Sequence, residues 1–199
     1  MIILVPCKHL DAGKSRLSAC LDDRDRHELC ERMLASTLTV LASLVPVNQI
    51  RVVTADRNAQ AIASRRRVPI IADTAGDLNS ALQHARSQLA QEGLADTPLM
   101  VLPIDLPFAT HDSLVQAMAT PADIVIAADE EGTGTNLLLL RRGGWHLPFR
   151  FGPNSYSQHV SQAQAAGLSL ATLADWRLAR DIDNPEQYAA WTHTAEAQP

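Results

Sequence analysis

The stretch ILVPCKHLDAGKSRLS, residues 3–18, decides how the rest of the chain is read. With Ile2 before it, the run Ile2, Ile3, Leu4, Val5 is too short for a helix and rich in β-branched side chains, so it reads as a buried strand. Pro6 breaks the run into a polar loop carrying Lys8, Lys14 and Arg16. Cations leaving a first strand can seat a polyphosphate, whose oxygens favour charge-assisted donors. In open α/β sheets ligands gather outside the carboxyl ends of the strands, where this loop lies. Gly13-Lys14-Ser15 supplies the last letters of a P-loop, but the glycine that motif needs before them is Lys8 here. Any phosphate wrap would therefore be made by side chains; the plainer alternative is a solvated basic loop after a core strand.

Outward from this loop, apolar residues at helical spacing predict a helix over 22–45, with Asp22 and Asp23 as capping candidates and Pro46 as its stop. Strands are expected at 49–54 and 68–71, with a helix at 56–67 between them and another from Leu78 to Gln91, stopped by Gly93. Thr97–Leu102 is apolar throughout, the mark of a central strand in a parallel sheet. A helix to Ala119, capped by Thr110 or Asp112, and a strand at 123–128 complete a strand–helix alternation that predicts a doubly wound α/β sheet. The remainder is less regular: a strand at 137–140, a helix at about 154–166, a strand at 168–173 and a final helix from about Asp181, fraying after Thr192. Trp145, Phe149 and Phe151 read as exposed aromatics that could serve a homodimer contact.

The chain has 199 residues, enough for one domain with a substantial core. A net charge of −5 argues against general nucleic-acid binding, and a local basic patch on an acidic protein points to a small anionic ligand. Three cysteines without metal spacing imply free thiols in a reducing compartment. No membrane-spanning run and no signal peptide are recognised, so a cytoplasmic protein is expected.

Asp105, between Pro103 and Pro107 just past the central strand, is a rigidly placed carboxylate of the kind that holds Mg²⁺ beside substrate phosphates; the plainer reading is a capping aspartate. Gly134-Thr135-Asn136 and Phe151-Gly152-Pro153-Asn154-Ser155 pair glycine with hydroxyl residues, which offers N–H and O–H donors to phosphate or carboxylate, or turn chemistry alone. No nucleophile elbow is present.

Val5-Pro6-Cys7-Lys8 followed by Lys14-Ser15-Arg16-Leu17 resembles the V-P-x-K…K-[ST]-R-L opening of the 2-phospho-L-lactate guanylyltransferase family, nucleotidyltransferases with a Rossmann-like fold. The resemblance continues in order through Asp77-Leu78-Asn79, Asp105-Leu106-Pro107, Gly134-Thr135-Asn136, Phe151-Gly152-Pro153-x-Ser155 and Asp181-Ile182-Asp183-x-Pro185. Cys7 stands where the family usually has an aliphatic residue, and Asp77 where it has glycine. The resemblance implies a three-layer, mostly parallel, doubly wound sheet of the nucleotide-diphospho-sugar transferase type, a single domain with its nucleotide-binding part over about 1–128 and its acceptor-binding part over about 129–199. It further implies transfer of GMP from GTP to phosphoenolpyruvate, 2-phospho-L-lactate or 3-phospho-D-glycerate, with release of pyrophosphate, toward coenzyme F-420. Carried over by motif, Pro6, Lys8, Lys14, Arg16 and Asn79 would serve the nucleotide, and Thr135, Gly152 and Ser155 the acceptor. Lys14, Arg16 and Asp105 would be catalytic, with Mg²⁺ on Asp105 and on Asp183 or Asp181. The alternatives are a related enzyme acting on a sugar phosphate or molybdopterin-type cofactor, and a non-catalytic nucleotide-binding module.

Overall fold

A computed structural model describes residues 1–10 and 14–196, with side chains through His193. Seven strands form one sheet: β1 (Ile2–Pro6), β2 (Ile50–Thr54), β3 (Ile70–Ala72), β4 (Leu99–Val101), β5 (Ile124–Ala128), β6 (Thr135–Leu140) and β7 (Leu170–Thr172). Their spatial order is β3-β2-β1-β4-β6-β5-β7, with β4 in the middle, as its unbroken apolar character implies. All neighbours are parallel except β6, which runs antiparallel to both β4 and β5. Periodicity carries no direction, so this reversal was not visible in the sequence.

Both faces of the sheet are covered. Alternate residues of β1 go to opposite sides: Ile3 and Val5 pack with α1 (Asp23–Ala42), α2 (Arg57–Arg65) and α4 (His111–Ala119). Ile2 and Leu4 pack with α3 (Leu78–Gln91) and α5 (Ser155–Ala165). A period of two on strands buried from both sides gives the three-layer sandwich. Two more helices follow, α6 (Trp176–Ala179) and α7 (Pro185–Glu196). The four-residue α6 is too short to display a helical period, and the expected fraying after Thr192 gives way to helix as far as Glu196.

Local chemistry sets the ends. The Asp22 carboxylate accepts from the Asp25 N–H and caps α1, while Thr110 and Ser113 form a reciprocal capping box at α4. Pro69 has no N–H for the ladder, and β3 begins one residue after it. Trp145 and Phe149 are not the surface aromatics expected. They are 2% and 4% exposed, packed against β-sheet and α3 side chains, with Phe151 partly buried beside them. Their burial within the monomer removes the basis for a subunit contact there. Among the described residues no helix is long and apolar enough to cross a membrane.

Candidate active site

From β1 the chain proceeds to β2 and β3 on one side of the sheet, and from β4 onward it builds the other side. The carboxyl ends of β1 and β4 therefore flank the topological switch point, where loops diverge and leave a crevice. The basic loop leaves β1 and the Asp105 segment leaves β4. Asp11, Ala12 and Gly13, the last of them the glycine of the P-loop comparison, lie outside the described residues. Lys14 follows in a left-handed backbone conformation (φ 55) and opens a short 3-10 helix, Ser15–Ala19. Left-handed backbone is unfavourable for a side chain with a Cβ, so surrounding contacts must hold it. Leu17, fully buried against Leu29, Met33 and Ile182, anchors the far side of this turn.

The Lys14 ammonium sits 2.6 Å from Asp105 Oδ2 and 2.5 Å from Asp183 Oδ1, and its side chain is only 8% exposed. Burial alone would lower its pKa; Asp105 and Asp183 more than offset this, and the pKa is raised. The Ile182 N–H donates to the Asp105 carbonyl at 3.1 Å, stapling the 181–183 segment to the loop after β4. Asp105, Asp181 and Asp183 thus converge, each offering a carboxylate oxygen within 4.8 Å of the others. The Asp181 pKa is pushed up to about 6, first by burial and then by the charges of Asp105 and Asp183. Gln187, on the first turn of α7, orients this group: its Nε2 donates to Asp181 Oδ1, and its Oε1 accepts from the Asp183 N–H.

Three carboxylates against one buried ammonium leave negative charge in excess. Arg16 compensates little, because it is 79% exposed and its guanidinium is 4.0 Å from Asp183. All-oxygen donors with surplus negative charge, beside a cleft, suit a hard divalent cation such as Mg²⁺. Asp105 thus meets both of the aspartates that the resemblance offered as alternative second metal ligands, Asp183 and Asp181.

Pro6, Lys8 and Lys14 line one cavity of about 210 Å³ together with Asp105 and Asp183. Lys8 also borders a second, of about 270 Å³, with Ala55, Asp73 and Gly76. Arg16 instead borders a third cavity of about 420 Å³ that also reaches Asp181, Asp183 and Arg180. The cations of the first loop are therefore split around Asp183 rather than gathered in one place.

Thr135 and Asn136, successive residues at the start of β6, serve different partners. Asn136 Nδ2 donates to the Leu178 and Ala179 carbonyls, both at 3.0 Å, and so supports the segment leading to Asp181. Thr135 Oγ1 lies 3.1 Å from His159 Nδ1. His159 Nε2 accepts from the Arg150 N–H at 3.1 Å, which places the ring proton on Nδ1 and makes Thr135 Oγ1 the acceptor there. The Thr135 hydroxyl proton is then available to another group. Burial, and after it the Arg150 charge, hold the His159 pKa down at about 4, so the ring is neutral near pH 7. An added Cβ at Gly134 would lie 2.6 Å from Asp129 Oδ2, which accepts the Gly134 N–H, so any other residue there would displace this carboxylate.

Gly152 (φ +120) and Asn154 (φ 57) turn the chain into α5, whose N-terminus has no side-chain cap. An uncapped helix N-terminus attracts anions. The Ser155 N–H donates to the Gly152 carbonyl and the Tyr156 N–H to the Thr133 carbonyl, both at 3.1 Å, which draws Thr135, Gly152 and Ser155 into one neighbourhood. Ser155 itself is 1% exposed. Asn79, on the first turn of α3, spends both carboxamide atoms on the Phe151 main chain. Nothing in the sequence marked His159 or Gln187; each is a single polar residue with no local pattern.

The family model described as "Guanylyl transferase CofC like" matches residues 1–192. A phosphoenolpyruvate guanylyltransferase of Chloroflexus aurantiacus is 33% identical over 189 residues, covering 93% of this chain and 91% of its own length. A 2-phospho-L-lactate guanylyltransferase of Archaeoglobus fulgidus is 30% identical over 184 residues, covering 92% and 79%. Among solved structures, a proposed nucleotide-diphospho-sugar transferase from Desulfovibrio desulfuricans G20 superposes with a TM-score of 0.77 at 17% identity, over 99% of this chain and 88% of that one. The CMP:2-keto-3-deoxy-manno-octonic acid synthetase bound to CTP does so with a TM-score of 0.62 at 12% identity, over 100% and 99%. The structural likenesses establish the fold, and the sequence matches identify the lineage: the chain is an enzyme of the CofC-like guanylyltransferase family.

Proposed function

We propose that this enzyme moves GMP from GTP to a small phosphorylated three-carbon acid, phosphoenolpyruvate, 2-phospho-L-lactate or 3-phospho-D-glycerate, with release of pyrophosphate, in the assembly of coenzyme F-420. The observation that carries this reading is the convergence of Lys14 with Asp105, Asp181 and Asp183 at the switch point of the sheet. Asp105 and Asp183, joined by Asp181, would hold Mg²⁺. Bound there, the ion would neutralise phosphate charge on the nucleotide and acceptor.

In the reaction, an acceptor phosphate oxygen donates an electron pair to the α-phosphorus of GTP, and the bond from that phosphorus to the bridging oxygen breaks. Pyrophosphate leaves with the bonding electrons. The attacking oxygen is already anionic, so no protein nucleophile or general base is required. The chain's task is to bring two polyanions into line and stabilise the charge that shifts toward the leaving group. Lys8 and Lys14 would serve the triphosphate, with Pro6 forming part of the wall and Arg16 approaching from the other side of Asp183. Asn79, expected beside the nucleotide, would act from its bonds to the Phe151 main chain. Thr135, through its free hydroxyl proton, and Gly152 and Ser155, at the uncapped start of α5, would seat the acid. Phosphoenolpyruvate is the leading acceptor by likeness to the Chloroflexus aurantiacus relative.

The test is a screen of four nucleoside triphosphates against the three acids and a sugar phosphate, read by pyrophosphate release and product mass. GTP with one of these acids should give a product containing the acid plus GMP. Turnover with CTP and a sugar phosphate instead would refute the assignment, as would GTP binding without release for any acceptor.

A further inference from the structure

The loop from Trp145 to Phe151 has little regular structure of its own, yet its main chain is held at several successive points by side chains from α3 and α5. Arg86 of α3 donates through Nη1 to the Trp145 and Leu147 carbonyls. His159 of α5 accepts from the Arg150 N–H. At the next residue Asn79 makes a two-point pairing: its Nδ2 donates to the Phe151 carbonyl at 2.9 Å, and its Oδ1 accepts from the Phe151 N–H at 2.8 Å. A carboxamide here does what a neighbouring strand would do, satisfying both main-chain groups of one residue.

Asn79 is the last of these braces before Gly152. Immediately beyond it come Gly152 at φ +120, a conformation open to glycine, and Asn154 at φ 57, a left-handed conformation that surrounding contacts must hold. The first N–H of α5, on Ser155, then donates back to Gly152. The placement of the Phe151–Gly152 peptide thus sets where α5 and Ser155 begin. α3 itself starts shortly after the loop that supplies Asp73 and Gly76 to the Lys8 cavity, so Asn79 joins the nucleotide side to the acceptor side.

We infer that Asn79 is a positioning residue for the acceptor, locking the Phe151–Gly152 peptide so that the exposed Gly152 and the start of α5 at the buried Ser155 are held in place. This rests on the reading that Thr135, Gly152 and Ser155 seat the phosphorylated acid. It assigns Asn79 an effect through the loop, not a contact with the nucleotide.

The experiment uses the full chain with Asn79→Ala, and Asn79→Asp, which keeps an acceptor for the Phe151 N–H but offers nothing to its carbonyl. Each variant is checked by thermal melting; if Asn79→Ala fails to fold, Asn79→Asp carries the comparison. Steady-state kinetics and equilibrium titration with GTP and Mg²⁺ in the absence of acceptor are measured in parallel. The acceptor KM should rise about tenfold, the scale of losing one or two good hydrogen bonds, with GTP affinity unchanged within about twofold. Combined with Ser155→Ala, the loss should be smaller than the product of the two single losses, because both act on one loop. GTP affinity falling in step with acceptor KM would make Asn79 a nucleotide contact and overturn the inference, as would independent effects of Asn79 and Ser155, or an unchanged acceptor KM. A wild-type chain inert toward every acceptor would instead sink the functional reading and this inference with it.

Discussion

Lys14 shows how a single residue can be read from sequence yet be understood only from structure. Its place on the loop after the first strand marked it as a phosphate ligand, but not its left-handed backbone or its two carboxylate partners. Lys14→Ala, or Asp105→Ala, should lower kcat by about 10²-fold or more, the scale of removing a principal electrostatic stabiliser. Steady-state assays on correctly folded variants check this, and near-wild-type turnover of Asp105→Ala would remove the metal assignment. Lys14→Arg should not restore activity, since a planar guanidinium cannot take the place of a compact ammonium between two carboxylates. His159, by contrast, was invisible as one of seven scattered histidines, and its importance emerges only from its two nitrogen partners. Its pKa is about 4 folded against an ordinary 6.5, so between these values the unfolded chain holds the extra proton. Stability from this residue is therefore complete above about 6.5 and is lost as pH falls toward 4. Asp181 works in the opposite sense, its raised pKa making the fold relatively more stable as pH falls below about 6. Comparing wild type with His159→Gln cancels the Asp181 contribution. From pH 7 to pH 5 the wild type should lose about 2 kcal/mol relative to the variant in denaturant titrations. Parallel pH profiles of the two proteins would contradict the assignment of His159 as a buried neutral ring.

The elements differ in how far their residues announce them. Helices α1 and α3 were legible because apolar residues recur along one face and Asp22 and Gly93 punctuate their ends. α6 was not, because one turn has no periodicity. The segment around Trp145 and Phe149 misled in another way: without regular structure its aromatics looked exposed, yet the loop folds back onto the sheet and α3. Arg86 accounts for this. It is 5% exposed, its guanidinium lies 4.6 Å from the centre of the Phe149 ring, and it satisfies the loop carbonyls that burial would otherwise strand. Phe149→Ala should accordingly cost about 3 to 5 kcal/mol in equilibrium unfolding, as for a large aromatic removed from a core. A surface aromatic would cost far less, within about 0.5 kcal/mol.

For the whole molecule, the general architecture followed from continuous apolar runs separated by amphipathic helices, a pattern that only a sheet buried on both faces accommodates. The sequence also placed Lys14 and Asp105 at the same edge, since both follow strands that end there. Spacing could not show that β6 runs backwards and so brings its first residues, Thr135 and Asn136, to that same edge, nor that the chain after the one-turn α6 returns Asp181 and Asp183 there. On the proposed mechanism the resulting cleft, with fixed charge of both signs, needs no covalent intermediate. The most direct measurement of that claim is the stereochemical course of transfer, using GTP made chiral at its α-phosphorus by one sulfur in place of a non-bridging oxygen and following the configuration into the guanylylated acid. A single in-line displacement by the acceptor phosphate inverts that centre, and inversion is the predicted result. Retention, the outcome of two successive displacements through a GMP–protein adduct, would contradict direct transfer between two phosphates held in one cleft.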